Sequence, residues 1–552
     1  MAEAVAYEGA AAATRDALAD RAFAPVVAVC TAAVATFLGL RLTAWPPHED
    51  ETLALFVGRD SLDGMLGTVL NQRGGAPLHF VFAWAVAHTG GGLGGLRAVS
   101  ALFAVASLPL LAVLCARLAG TKAPAIVATI LASASWMVLF HGVYGRMYSL
   151  FLFTSLLSFL ALLEATETGG RLRWAGWIAA TLLCISAHPY GALVLAAQVV
   201  YVAVTRTRLR EAAASIAIVL VLGIPFWRTD LVLAGRFEIG VGSGGGGGRL
   251  GSPLDVLSYL ERTFGDFTAG YRLAVAAILG LAAVGAYSLA RAWPRSALLV
   301  GAVVLTPAVL LTLARFGSAA APESRHLIFV MPFFLVLVAV GLVSGAGHLG
   351  RAGTPAVVVA ICGLVTLQVA WGWSRTAELY RGEPAERVAA RGTAAEWLAK
   401  TSRRDDVLFG YDPLFLEAWR AGGELSRSVV PRADPRLALR ALQAAEPLGR
   451  GVWVFDASDT GNPVRRLEVP NQPPTPREAF ETRTFGPFMV VRTIAPTGNA
   501  RSYLELARRA QLAGKALSIA DADVNLLTIV EASGRLAAQE RAREDSRSTA
   551  SR

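Results

Sequence analysis

Charge is scarce in this chain. Of its 552 residues only 17% are Asp, Glu, Lys or Arg, while 54% are hydrophobic and the mean hydropathy is +0.49. A soluble protein of this length needs more polar surface than that to stay dispersed. Cysteine is scarce too. Cys30, Cys115, Cys184 and Cys362 all fall in apolar runs, with no CxxC or other ligand spacing, so they read as inert core residues and leave the redox compartment undetermined. A cleavable signal peptide pattern is lacking: residues 1–23 are mixed polar and Ala-rich, and 25–40 reads as a signal anchor. There is no phosphate-binding loop. The five consecutive glycines at 244–248 have linker composition, with neither Lys-Ser/Thr nor a helix start after them. The net charge of +10 does not point to nucleic acid, because the Arg residues are scattered over short loops between apolar segments.

Long apolar runs dominate the first two-thirds. Segments of the length a bilayer requires, about 20 residues, recur near 24–42, 98–117, 124–141, 148–165, 174–187, 190–205, 212–228, 272–290, 296–314, 326–345 and 354–373, which makes eleven expected spans. The stretch 77–90 holds about 14 residues with His79 and His88 inside it, short for a span, and reads as a helix lying in the interface. With the N-terminus cytoplasmic, every short cytoplasmic loop is then basic: Arg117 and Lys122; Arg171 and Arg173; Arg206, Arg208 and Arg210; Arg291 and Arg295; Arg351. Outside lie the first loop 43–96, a turn at 141–147, His188-Pro189-Tyr190, a Gly-rich loop at 229–270 and another at 315–325. The expected organisation is therefore a cytoplasmic segment 1–23, a transmembrane domain 24–375, an extracytoplasmic α/β domain 376–497 and a tail 498–552.

Four features carry chemistry. The first outer loop opens Trp45-Pro46-Pro47-His48-Glu49-Asp50-Glu51-Thr52. Three adjacent carboxylates at the mouth of a membrane helix are costly unless solvated or used. One reading is a general base that takes the proton of an attacking hydroxyl; the other is an ordinary acidic helix start. In His141-Gly142-Val143-Tyr144-Gly145-Arg146-Met147-Tyr148, Arg146 either snorkels to headgroups or meets a phosphate or carboxylate. In Glu323-Ser324-Arg325-His326, Arg325 either anchors the next helix or binds a lipid-carrier phosphate. His188-Pro189-Tyr190 lies between two spans, where a lone His is more often structural than a ligand. The single topology chosen on charge puts all four on one membrane face.

On these residues the chain resembles the GT-C membrane glycosyltransferases, in the bacterial branch of predicted membrane-bound mannosyltransferases related to protein O-mannosyltransferases and aminoarabinose transferases. Asp50-Glu51-Thr52 matches that branch's Asp-Glu pair and following small residue. Gly75-Ala76-Pro77-Leu78-His79-Phe80 loosely matches its His-Pro-Pro-Leu-Tyr-Tyr-like juxtamembrane segment, and Arg97-Ala98-Val99-Ser100 its Arg-Leu-Pro-Ser-like span start. Val143-Tyr144-Gly145-Arg146-Met147-Tyr148 stands where the branch has Gln-Glu-Ala-Arg-Met-Tyr, so Tyr144 replaces an acid and Gly75 a His. His188-Pro189-Tyr190-Gly191 and Arg325-His326-Leu327-Ile328 follow in the same order along roughly 25–375. The resemblance implies an all-α GT-C bundle of about 11 transmembrane helices with juxtamembrane helices, a polyprenyl-phosphate-linked sugar donor, an outward-facing site and inversion at the anomeric carbon. It makes Asp50 the base; beside it, Glu51 and the extra acid Glu49 read as positioning acids or ligands of a divalent metal ion. Arg146 and Arg325 would hold the donor phosphate; His48, His79, Arg97, Tyr144, Tyr148, His188, Tyr190 and His326 would support them.

From Glu378 the pattern turns to α/β alternation, with helices expected over 385–399 and 436–445 and strands over 406–410, 451–455 and 488–493. No nucleophile elbow, metal spacing or phosphate loop appears there, and the part reads as a non-catalytic domain that shapes or covers an acceptor site. Residues 498–540 read as helical and 541–552 as disordered. The function expected is an inverting glycosyltransferase of the plasma (inner) membrane, multi-pass, acting on an extracytoplasmic glycan, lipid or protein, with no nucleic-acid partner. The alternatives are a catalytically inactive scaffold and a lipid-linked glycan transporter. The transporter would want mid-span ionisable residues and related halves, and the sequence has neither.

Overall fold

A computed structural model describes residues 2–237, 253–315, 323–423, 426, 428–432, 434–458 and 475–550. The glycines at 244–248 lie outside them. The chain divides into two compact units: Met1–Trp45 with Val57–Leu233 and Ser243–Gly382, and Pro46–Phe56 with Ala234–Gly242 and Glu383–Arg552.

The first unit is all helix. Among the described residues six helices are long and apolar enough to cross a membrane: Ala19–Arg41, Gly92–Ala119, Tyr148–Thr168, Arg272–Ala292, Ser324–Gly347 and Gly350–Arg375. Two bent pairs raise the number to eight if each is one span: Lys122–Ala134 with Trp136–Val143, bent by 49°, and Leu209–Leu222 with Ile224–Ala234, bent by 58°. The other three expected spans are helices too: two are short, Arg171–Ala187 with 17 residues and Gly191–Thr205 with 15, and Pro294–Arg315 has 22. The stretch around His79 forms the 12-residue helix Pro77–His88.

Burial separates central from peripheral helices. The most apolar window of Ser324–Gly347 is 83% buried within the protein, that of Gly350–Arg375 only 11%. The first is a core helix and the second turns most of its surface outward, towards lipid in a membrane. The core helix meets Arg272–Ala292 backbone to backbone. A Cβ on Gly285 would lie 1.9 Å from the Leu337 carbonyl oxygen, and one on Gly341 would lie 2.0 Å from that of Leu281. Small residues allow such approach, and dispersion between the backbones then holds the pair. Polar side chains inside the bundle satisfy each other: Trp177 Nε1 donates to Gln198 Oε1 at 3.0 Å, Gln198 Nε2 to Ser158 Oγ at 2.8 Å, and Ser158 meets Thr181 at 2.9 Å. Cys30, Cys115 and Cys184 are buried as expected; Cys362 is exposed on its helix.

The second unit is built on a five-stranded mixed sheet. Its strands are β1 (Val407–Phe409), β2 (Ser428–Val430), β3 (Gly451–Asp456), β4 (Phe480–Phe485) and β5 (Phe488–Thr493), in the order β2-β1-β3-β5-β4. β1 runs parallel to β2 and β3, while β5 is antiparallel to β3 and β4. The parallel strands are joined by helices, Pro413–Arg420 and Pro435–Ala444, each with Pro in its first turn and an Asp cap. Asp412 Oδ1 accepts from Leu414 N at 2.8 Å, and Asp434 Oδ1 from Arg436 N at 2.9 Å. Trp453 and Tyr503, both fully buried, centre the core between the sheet and the helix Ala500–Ala516. The helix expected over 385–399 runs Ala385–Thr401, and the three expected strands are β1, β3 and β5. The tail differs from expectation: the helix Ala520–Ala550 continues through much of the segment expected to be disordered. Its Ala, Arg and Glu content favours helix, and Arg501 pairs with Glu540 from the neighbouring helix.

Candidate active site

The acidic turn is a helix start, and its three carboxylates differ in environment. Pro46 and Pro47 keep the chain extended until His48, whose carbonyl accepts from Glu51 N at 3.1 Å and Thr52 N at 3.2 Å to open the helix Glu49–Gly58. Glu51 is fully buried and reaches back, its Oε2 accepting from His48 N at 3.1 Å. That is the reciprocal arrangement of a capping box. Glu49 is paired with Arg432. Asp50 has the most accessible side chain of the three for which exposure separates a role: it is 36% exposed, 4.0 Å from His48 Nδ1, and that nitrogen accepts from Asp50 N at 3.1 Å.

A metal ion does not fit this turn. Among the described residues no group of three or more His, Cys, Asp or Glu is arranged to hold one. Glu49, expected as a candidate ligand, is occupied by a guanidinium, and Glu51 by its own helix terminus. The carboxylates are better suited to fixing Asp50 than to sharing a cation with it.

In the first unit the remaining residues gather around His188. Its Nδ1 accepts from Tyr190 N at 3.0 Å, which leaves the ring proton on Nε2. That Nε2 is buried and has no hydrogen-bond partner among the described residues. Burial, then the neighbouring His326, Arg146 and Arg325, hold the imidazole well below its ordinary pKa, so the ring is neutral. Phe151 stacks on it at 4.6 Å, and the rings of His326 and Tyr148 stand 5.6 and 5.8 Å away. Tyr148 Oη meets His326 Nε2 at 3.5 Å. Tyr190 stands edge-on to His326, and burial with Tyr148 nearby pushes its phenol up to about 12. Arg325 lies over the Tyr148 ring at 5.4 Å, oriented by Glu323 through its Nε at 2.7 Å and Nη2 at 2.9 Å. A neutral N–H donor, the Arg325 guanidinium and phenols thus lie together, and Arg146 acts on the same imidazole through its charge.

The expected supporting residues divide. Tyr144 is buried and stacked between Phe140 and Tyr148, a packing position in place of the acid that the resembled branch carries. Arg97, buried, donates to the carbonyls of Leu42 at 2.9 Å and Trp45 at 2.7 Å, so it fixes the chain just before the acidic turn. Ser100, one turn on, donates to the Arg146 carbonyl at 3.2 Å. His79 is buried beside Phe80 in its own short helix.

Two solved structures of ArnT from Cupriavidus metallidurans, an aminoarabinose transferase, share this architecture. The apo form superposes with a TM-score of 0.54 at 16% identity, and the form bound to undecaprenyl phosphate with 0.54 at 15%. Each covers 86% of this chain and 98% of its own. The fold is the GT-C fold. An oligosaccharyltransferase from Archaeoglobus fulgidus, in its apo form, aligns with a TM-score of 0.48 at 12% identity over 79% of this chain and 70% of its own. No family profile and no curated protein sequence matches the chain.

Within the GT-C bundle one residue escaped the sequence reading. Asp266, buried near the end of the helix Pro253–Phe267, accepts from Ser324 Oγ at 2.6 Å and Trp371 Nε1 at 3.2 Å, and pairs with Arg375 Nε at 3.2 Å. Ser324 immediately precedes Arg325, so Asp266 ties the cation-bearing turn to the helix Gly353–Arg375. A lone Asp in a segment read as loop carries no local signature. The segment 253–267 is amphipathic, but it also carries Asp255 and Glu261, so nothing in it singles out Asp266.

Proposed function

We propose that the chain is an integral membrane glycosyltransferase that takes a sugar from a polyprenyl-phosphate-linked donor and passes it, with inversion, to an acceptor outside the cytoplasm. The observation that carries this reading is the His188 cluster. A buried, neutral Nε2–H with no acceptor among the described residues, and with the charges of Arg146 and Arg325 acting on its ring, suits the phosphate of a lipid carrier. The GT-C fold, and an ArnT crystal holding undecaprenyl phosphate, favour that anion over others.

The acceptor hydroxyl oxygen attacks the anomeric carbon from the face opposite the phosphate. Its proton passes to the Asp50 carboxylate. The bond from the anomeric carbon to the phosphate oxygen breaks, and the electron pair leaves on the lipid phosphate, whose growing charge Arg146, Arg325 and His188 stabilise. Glu51 and Glu49 keep Asp50 in place. The sugar is a hexose or pentose, mannose among the hexoses, and the acceptor a glycan, lipid or protein. On this reading the chain crosses eleven times with the N-terminus cytoplasmic, an orientation supported by the basic short loops, and the acidic turn and the α/β unit lie outside the cytoplasm.

A second reading rests on Tyr144. An aromatic packing residue at a position where the resembled branch has an acid is what a catalytically inactive scaffold would carry. Transfer of labelled sugar from a panel of polyprenyl-phosphate sugars, by purified protein in lipid, decides between them. The expected result is transfer or donor hydrolysis by the wild type that disappears in Asp50→Asn, with donor binding retained. Binding without turnover in both proteins, plausible acceptors present, would move the assignment to scaffold or transport.

A further inference from the structure

The helix that carries Asp50 belongs to the compact unit of residues 383–552, although every candidate membrane span after the first lies between them in the sequence. Two contacts hold it there, one at each end. At its start, Glu49 Oε2 accepts from Arg432 Nε at 2.5 Å and also from Nη2, while Glu49 Oε1 faces Tyr411 N at 3.5 Å. Near its other end Phe56 packs on Trp419, ring centroids 4.1 Å apart, and on Tyr411 at 5.7 Å. Arg432 is itself held from the far side. Its Nη1 pairs with Asp521 at 2.8 Å, and Thr528 Oγ1 donates to its carbonyl at 2.7 Å. One guanidinium thus joins the first turn of the acidic helix, the segment after β2 and the first turns of the helix Ala520–Ala550.

We propose that Arg432 is a positioning residue for the glycosyl transfer: by clasping Glu49 to Asp521 it sets the place and direction of Asp50, the next residue. The proposal rests on Asp50 being the base. Its physical ground is geometric. A ten-residue helix spans about 15 Å, and pinning both ends removes the tilt and slide that would carry a first-turn carboxylate away from its target. The pair is three-quarters shielded from solvent on both sides, 26% exposed for Arg432 and 23% for Glu49. It therefore escapes much of the screening that makes exposed ion pairs weak. A planar fork with five donors can serve Glu49 on one edge and Asp521 on another; a lysine cannot reach both in that way. The core of this unit, around Trp453 and Tyr503, is formed by other residues, so the sheet does not depend on the clasp.

The test uses the full chain in lipid nanodiscs, as wild type, Arg432→Ala, Arg432→Lys, Glu49→Gln and the Arg432→Ala/Glu49→Gln double variant. Two readouts are taken: amide hydrogen exchange over residues 46–56, and steady-state turnover of the donor found active in the panel. In Arg432→Ala, exchange over 46–56 rises while the core helix Ser324–Gly347 stays protected. Its kcat falls roughly 10- to 100-fold, the cost of a small misplacement of a reacting group, and the donor KM stays within about twofold. The double variant is no worse than the single ones, and Arg432→Lys lies between wild type and Arg432→Ala. Should Arg432→Ala fail to fold, Arg432→Lys and Glu49→Gln carry the same comparison. Unchanged exchange overturns the clasp, and raised exchange with unchanged kcat overturns the positioning role. A wild type that turns over no donor while exchange still rises in Arg432→Ala removes the proposed function and the positioning role with it, and leaves the clasp as architecture alone.

Discussion

At Asp266 three hydrogen bonds, from Ser324, Trp371 and Arg375, converge on one carboxylate, and Arg375 Nε adds an ion-pair contact. Arg375 also lies over Trp136 at 5.0 Å, so the group joins the cation-bearing turn, the last apolar helix and the break at Ser135. Asp266→Asn keeps the shape and loses the charge-assisted bonds, an expected loss of about 1–3 kcal/mol readable by thermal unfolding in detergent, together with weaker binding of polyprenyl phosphate. The pH dependence has a definite sign. Burial raises the Asp266 carboxyl above its ordinary value, and Arg375 with the hydrogen bonds offsets only part of that. The folded state therefore keeps the proton longer than the unfolded one. Wild-type stability relative to Asp266→Asn is then greatest in acid and declines as pH rises above the ordinary carboxylate value of about 3.9. A difference in Tm that grew with pH would contradict this. The acids at 49–51 announced themselves because they are adjacent; Asp266 did not, because its partners lie about 60 and 110 residues on.

Elements were legible where composition alone decides them. All eleven apolar runs are helices, because a stretch that long and that apolar has no other way to satisfy its backbone in lipid. The breaks inside them were not legible. Ser135 ends one helix and caps the next, its Oγ accepting from Met137 N at 3.3 Å while donating to the Phe267 carbonyl at 3.0 Å, and only the tertiary partner makes that kink. In the sheet, β4 (FETRTF) was missed because an edge strand alternates polar and apolar residues, and β2 because three residues give no period. Helix contact supplies a test at this scale. Gly285→Ala would drive a methyl into the Leu337 carbonyl, so an overpacking cost of about 1–3 kcal/mol is expected in detergent unfolding. Gly280→Ala, on the same helix with nothing within 4 Å, serves as the control and should be neutral or mildly stabilising. Equal effects at the two positions would count against the close approach.

For the molecule as a whole, the orientation proposed from loop charge can be read in intact cells. A membrane-impermeant maleimide should label Arg403→Cys, exposed in the second unit, and should reach Arg171→Cys only after the membrane is permeabilised. The native thiols interfere little, three being buried and Cys362 lying on an apolar membrane helix. The opposite labelling pattern would invert the topology and with it the side on which acceptor is sought. The role of the second unit was the least legible feature of all. Nothing in residues 383–552 resembles a catalytic motif, and the tie from Glu49 to Arg432 spans 383 positions. That separation has a consequence for biosynthesis. The helix bearing Asp50 leaves the ribosome long before its two anchors and the Asp521 that braces one of them. Throughout insertion the acidic turn waits without its clamp, and a nascent or prematurely terminated chain cannot complete it. With Asp50 as the proposed base, transfer would start only after residues 411–528 have been made and folded.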